Sequence, residues 1–276
     1  MHLQCGAFKL SLDRPLVMGV VNVTPDSFSD GGLHATTDHA VAHAQRLVAE
    51  GADILDIGGE STRPGSAPVG LDEERRRVLP VLEALAGCGV PLSVDTRKPE
   101  LMAEAIAAGA AMVNDVTALG APGALAAVAG KPVAVCLMHM QGDPISMQQS
   151  PEYGDVVTEV RDFLMARMAA CEAAGIARER IAVDPGIGFG KTFEHNLRLI
   201  SRLHDYVWLE RPLVIGVSRK STVGRITGRP VDGRLAGSVA LATLAAWNGA
   251  AIIRAHDVAA TVDAMKTVAA MRGVST

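Results

Sequence analysis

Nothing in the cysteine pattern of this 276-residue chain supports a covalent or metal framework. Cys5, Cys88, Cys136 and Cys171 lie far apart and form no C-x-x-C, so neither a disulfide scaffold nor a zinc site is suggested, and a reducing cytoplasm is the simplest context. An excess of one charge is missing too. Lys and Arg number 26 against 30 Asp and Glu, a net charge of -4, which provides no broad basic field for nucleic acid or an anionic membrane surface. Any anion must then be met locally. No apolar run reaches the ~18 residues of a membrane span, and the amino-terminal MHLQCGAFKLSLDR lacks the basic and long apolar regions of a signal peptide. Two tempting motifs also fail. DPGIGFGKT (184–192) has Pro185 where a phosphate-binding loop needs its first glycine, and His39 and His43 are followed and preceded by no glutamate at position 40, which is Ala40. The two histidines are therefore expected on the surface.

What is present is apolar content of 49%, enough for a large core in one barrel-sized domain or two smaller ones. After two strand-like pieces near His2–Gln4 and Phe8–Leu12, eight β-branched runs alternate with Ala/Leu/Glu/Arg segments. The runs span 16–23, 52–58, 91–96, 111–117, 132–139, 181–185, 212–218 and 250–256. Helix candidates follow at 38–50, 72–86, 99–108, 122–129, 153–174, 194–203, 234–247 and 258–272, several closing on glycine. Strand then helix, eight times in about 260 residues, predicts a single α/β domain, a (β/α)8 TIM barrel with a short N-terminal β extension. An open doubly wound sheet is the competitor.

Polar side chains collect where these buried runs end. Asn22, Asp56 with Glu60, Asp95, Asn114 and Asp115, His139, Asp184, Lys220, and Arg254 with His256 follow one another along the chain. In a parallel barrel all of these meet at the carboxyl-terminal mouth, where such folds place their chemistry. Asp56 and Asp115 are the best candidates for structural roles, paired with arginine or loop backbone, because unpaired buried carboxylates are costly. Arg75-Arg76-Arg77, beside Asp72-Glu73-Glu74, reads as a solvated face, and Met138 reads as pocket wall. The stretch MGVVNVTPDSFSDGG (18–32) runs from buried strand into a turn-rich loop, with Phe28 either covering a ligand or lying on an ordinary solvated connection. Ser218-Arg219-Lys220-Ser221 puts a cation and hydroxyls at the end of the seventh run, and Arg254 and His256, two apart, are expected to share one face toward an anion.

Eight segments, in order, resemble the dihydropteroate synthase family: 18–32, DIGGESTRPGS (56–66), SVDTRKP (93–99), NDV (114–116), LMHMQG (137–142), DPGIGFGKT (184–192), GVSRKS (216–221) and IIRAHDV (252–258). The resemblance implies condensation of p-aminobenzoate with dihydropterin pyrophosphate, release of pyrophosphate, use of Mg²⁺, sensitivity of the p-aminobenzoate slot to sulfonamides, and a homodimer. The apolar segment Leu235–Trp247 is either an interface helix or simply a well-buried outer helix.

A pterin edge offers N–H donors on one side and a carbonyl on the other. Asp95, Asn114 and Asp184 would accept, Lys220 would reach the carbonyl and N5, Met138 and Phe189 would border the ring, and Arg254 would flank it. The pyrophosphate would meet Arg254 and His256, with Asn22 giving an oxygen to Mg²⁺, a hard cation that retains waters and bridges phosphate oxygens. The p-aminobenzoate slot would use Phe28, Thr62, Arg63, Pro64, Phe189, the Lys220 stem and Ser221. Asp95, Asp184 and Lys220 are the expected catalytic set, in an SN1-like route that needs no strong base because an arylamine is already a nucleophile. A non-catalytic pterin-binding homologue and a methyltetrahydrofolate-binding methyltransferase domain are the alternatives. The second would need a corrinoid partner and no pyrophosphate site.

Overall fold

A computed structural model describes residues 1–24, 33–61 and 65–274. Strands β1 (His2–Cys5) and β2 (Phe8–Ser11) form an antiparallel hairpin. Eight parallel strands follow: β3 (Leu16–Asn22), β4 (Ile54–Gly58), β5 (Leu92–Asp95), β6 (Met112–Asp115), β7 (Ala134–Met138), β8 (Ile181–Asp184), β9 (Val214–Gly216) and β10 (Ile252–Ala255). Their order is β8-β7-β6-β5-β4-β3-β10-β9. A bridge from Val183 to Leu213, with the Val183 amide donating to the Pro212 carbonyl at 3.0 Å, brings the two ends together. This is the eightfold barrel and N-terminal β extension expected from the alternation.

The helices are α1 (Leu33–Ala49), α2 (Leu71–Ala84), α3 (Pro99–Ala107), α4 (Ala124–Val128), α5 (Val156–Ala173), α6 (Phe193–Ser201), α7 (Ser221–Thr227), α8 (Leu235–Trp247) and α9 (Val258–Val274). Between β9 and β10 the chain makes two helices, where the sequence pattern marked only 234–247. The extra one, α7, is a short turn that begins after Arg219, whose φ is +58°, and stops at Gly228, whose φ is +69°. It places Ser221 at its first residue.

Alternation along each strand divides the apolar residues between two cores. Val17, Leu55, Val113, Val135, Ile215 and Ile253 face the helices, whereas Met18, Ile54, Met112, Ala182, Val214 and Ile252 fill the barrel interior. The interior core continues into the hairpin: Leu3 and Cys5 are fully buried against it. The hairpin is therefore a plug for the amino-terminal end of the barrel. Its turn needs glycine twice over, since Gly6 has φ +56° and a Cβ there would stand 3.2 Å from the Ala111 Cβ. Leu3→Ala is expected to cost about 2–5 kcal/mol of unfolding free energy, read in a urea melt. A change under about 1 kcal/mol would show that the plug adds little to the barrel.

Candidate active site

The register lines up the polar strand ends. Asp95 lies beside Asn114, Met138 beside Asp184, and Arg254 beside Gly216. Glycine supplies the room these larger groups occupy. A Cβ on Gly58 would be 3.4 Å from the Asp95 Cβ, and one on Gly216 would be 3.6 Å from Lys220 Nζ and 3.8 Å from the Arg254 Cβ.

Arg254 is the electrostatic centre of the mouth. Its Nε donates to Asp56 Oδ2 at 2.6 Å and its Nη2 to Asp95 Oδ2 at 2.9 Å, while Asn114 Nδ2 donates to the same Asp56 oxygen at 3.0 Å. Burial works against the guanidinium's charge, but Asp56 and then Asp95 outweigh it and hold its pKa above the usual value. Because the Asn114 amide donates to Asp56, its carbonyl oxygen is the end available to accept. Arg254 takes one oxygen of Asp95, and burial pushes that carboxyl up to about 7 against the pull of Arg254, with Asp56, Glu74 and Asp115 adding repulsion. Asp115 does what was expected of a structural carboxylate. It accepts from the Thr117 amide at 2.7 Å, the Thr117 hydroxyl at 2.8 Å and the Leu119 amide at 2.8 Å. Ala118 and Leu119 sit at φ +53° and +57°, and Arg167 donates to both carbonyls at 2.9 and 2.8 Å.

Across the mouth, Asp184 Oδ1 accepts from the Gly186 amide at 2.7 Å. Lys220 donates to the Ile187 carbonyl and holds its Nζ 4.6 Å from the centre of the Phe189 ring. Burial lowers the Lys220 pKa to about 8, with Asp184 opposing. Burial raises Asp184 above its ordinary value, with Lys220, the Gly186 amide and Lys191 opposing. Gly186, Gly188 and Gly190 all have positive φ, from +60° to +86°. At Gly186 and Gly190 the missing side chain lets the protein's own backbone approach, since a Cβ on Gly186 would overlap the His139 carbonyl and one on Gly190 would lie 2.5 Å from the Gln141 carbonyl.

Asn22 and His256 line a separate cavity of about 540 Å³ with Arg219, His43, Arg46 and Glu50. Strand β10 ends at Ala255, so His256 is placed by the following turn: its amide donates to Ser218 Oγ at 3.2 Å and its Nδ1 lies 3.1 Å from the same oxygen. The pair expected on one strand face is thus divided, with Arg254 turned to the barrel carboxylates and His256 to the cavity. His43, expected on the surface, is half-buried and lies 2.7 Å from Arg46 Nη2. Arg77 is likewise no solvated residue. It donates to the Gly59 carbonyl at 2.8 Å, beside Glu60, which pairs with Arg97 at 3.0 Å and with Lys98. Ser221 is exposed at the start of α7. Phe28, Thr62, Arg63 and Pro64 lie outside the described residues. Lys191, buried beneath the mouth, was missed because its GKT setting drew attention to a nucleotide loop rather than to its burial.

Comparison with known proteins bears directly on this arrangement. The family model described as pterin binding enzyme matches residues 18–256. A dihydropteroate synthase of Escherichia coli K12 is 49% identical over 271 residues, 98% of this chain and 96% of that protein. The chain belongs to the dihydropteroate synthase family. A solved Xanthomonas albilineans dihydropteroate synthase with 4-aminobenzoic acid is 54% identical with a TM-score of 0.92, covering 98% of both chains. The Yersinia pestis dihydropteroate synthase, solved with a sulfonamide drug, is 51% identical with a TM-score of 0.94, covering 99% of this chain and 100% of that one.

The two titrating groups make opposite demands on pH: Asp95 is the stronger acceptor for a ligand's N–H groups when ionised, and Lys220 is a charged donor when protonated. With values near 7 and 8, kcat/KM for the pterin substrate should fall as pH drops through about 7 and fall again as it rises through about 8. A rate profile flat from about pH 6 to pH 9 would remove both groups from pterin recognition.

Proposed function

We propose that this chain is a transferase that condenses 6-hydroxymethyl-7,8-dihydropterin pyrophosphate with p-aminobenzoate, giving 7,8-dihydropteroate and pyrophosphate in folate biosynthesis. The observation that carries the reading is the gathering of acceptors and a donor at one barrel mouth, Asp95 and Asn114 on one wall with Asp184 and Lys220 across from them, in a chain about half identical to named dihydropteroate synthases. A flat ring with donors on one edge and a carbonyl on the other fits between them, with Met138 and Phe189 as its borders.

The chemistry follows from where charge develops. The bond between the pterin methylene and the pyrophosphate oxygen breaks, and its electron pair leaves with pyrophosphate. The methylene cation that remains is delocalised into the ring and faces Asp95 and Asp184. A carboxylate ~4 Å away at an effective dielectric of ~20 contributes on the order of 4 kcal/mol, or about a thousandfold in rate. The arylamine lone pair then forms the carbon–nitrogen bond and its extra proton passes to water. Leaving-group charge is the remaining demand. Asn22 fits Mg²⁺ as a single amide oxygen on a cavity wall, consistent with a cation held mainly by phosphate and water oxygens. Among the described residues no cluster of three acidic, His or Cys groups offers an all-protein cage. Such an ion would supply charge neutralisation at the pyrophosphate, beside His256.

Phe189, the Lys220 stem and Ser221 would serve the p-aminobenzoate slot, where sulfonamides would compete. Trp247, Leu244 and Leu235 on α8 are 51, 54 and 46% exposed, which supports a homodimer through this helix. The cytoplasm remains the natural compartment for an enzyme with four free cysteines.

Incubation with both substrates and Mg²⁺ should release pyrophosphate only when p-aminobenzoate is present and yield dihydropteroate. Pyrophosphate release with no pterin–arylamine product would overturn the assignment. Asp95→Asn should bind the pterin within about tenfold of the parent yet turn over on the order of a thousandfold more slowly, because it keeps the shape and loses the charge. Turnover within a few-fold of the parent would remove the carboxylate's electrostatic role.

A further inference from the structure

Lys191 is 2% exposed, and among the described residues it makes no ion pair. A lysine that deep is rare unless its charge is used. Its three donors instead converge on backbone and ring: His139 Nδ1 at 2.9 Å, the Phe189 carbonyl at 2.9 Å and the His139 carbonyl at 3.4 Å. These acceptors belong to the two segments that leave β7 and β8. The same segments are joined by the His139 amide donating to the Asp184 carbonyl at 2.9 Å, and their backbones approach so closely that Gly186 and Gly190 admit no side chain.

The outer face of the loop after Asp184 is tied down as well. Gly188 donates to Asn196 Oδ1 at 2.7 Å and accepts from Gln148 at 2.6 Å, and the Gly190 carbonyl accepts from the Tyr153 hydroxyl at 2.8 Å. The inner face, the one beneath Asp184 and Phe189, rests on Lys191. We propose that Lys191 is a positioning residue for the pterin site, fixing Phe189 under Lys220 and the aim of Asp184 through the Phe189 carbonyl and His139. The proposal rests on the reading of this mouth as a pterin pocket.

The electrostatics agree with that geometry. Lys191 donates to His139 Nδ1, and burial together with the Lys191 charge pushes the imidazole down to about 3, so the ring stays neutral and packs edge-on to Phe163 at 4.8 Å. Burial lowers Lys191 itself to about 7, with Asp184 opposing and Lys220 assisting. Asp184 is faced in turn by Lys220, Lys191 and Arg254, and Lys220 by Asp184, Arg254 and Asp95. A cation at position 191 thus favours the ionised Asp184 and opposes the protonated Lys220. Removing it raises both pKa values.

The test uses Lys191→Met, which keeps the stem and deletes donors and charge, and His139→Phe, which deletes one acceptor and leaves the charge. Binding of 6-hydroxymethylpterin is followed by its fluorescence, and kcat/KM for dihydropterin pyrophosphate is followed against pH. Lys191→Met should weaken pterin binding by about tenfold or more and move the alkaline limb of the pH profile, which belongs to Lys220, upward by at least about half a unit. His139→Phe should weaken binding in the same direction with the limbs in place. Pterin affinity within about threefold of the parent in folded Lys191→Met protein, with an unmoved alkaline limb, would overturn the proposal. So would a Lys191→Met chain that cannot fold beside a His139→Phe chain that binds like the parent, and so would loss of folding in both, since Lys191 would then act on stability alone. Failure of the parent itself to bind the pterin would instead overturn the functional reading.

Discussion

The mouth of this barrel depends on one guanidinium. Arg254 reaches Asp56 on one side and Asp95 on the other, and without it two carboxylates would share a low-dielectric space with no cation in contact. The ion network does more than neutralise. It fixes the Asn114 amide by engaging the oxygen to which that amide donates, and it occupies only one of the two Asp95 oxygens. A fully paired carboxylate would have no reason to prefer a ligand, and an unpaired one would be protonated. Arg254 holds Asp95 between those limits.

The opposite wall uses the reverse logic. There a cation, Lys220, lies over an aromatic face and a backbone carbonyl, and the carboxylate Asp184 is braced by an amide. Both walls owe their closeness to small residues: Gly58 beneath Asp95, and Gly216 beneath Lys220 and Arg254. Glycine at a strand end weakens the sheet locally. Here the vacated volume is what lets charged side chains stand inside a barrel whose lower half is packed with Met18, Ile54 and Met112.

The fold was legible because eight apolar runs of similar length repeat with little interruption, and the candidate site was legible because polar residues end those runs. That argument located Asp95, Asn114, Asp184, Lys220 and Arg254 correctly at one rim. It could not pair them. The contact of Arg254 with Asp56 spans 198 residues and depends on barrel closure, so nothing in the sequence joined this arginine to its two carboxylates. Arg77 and Lys191 escaped for a related reason: adjacent charges or a motif gave them a plausible surface or nucleotide role, and only packing reveals that they brace backbone carbonyls. Boundaries were least legible where left-handed residues intervene, as at Arg219 before α7.

The hairpin at the amino terminus has a consequence for traffic. With Leu3 and Cys5 sealing the base, the barrel is a vessel with one door. A molecule that enters it can do so only across the carboxyl-terminal rim, so it meets the charges of Asp95, Arg254, Asp184 and Lys220 on the way in and again on the way out.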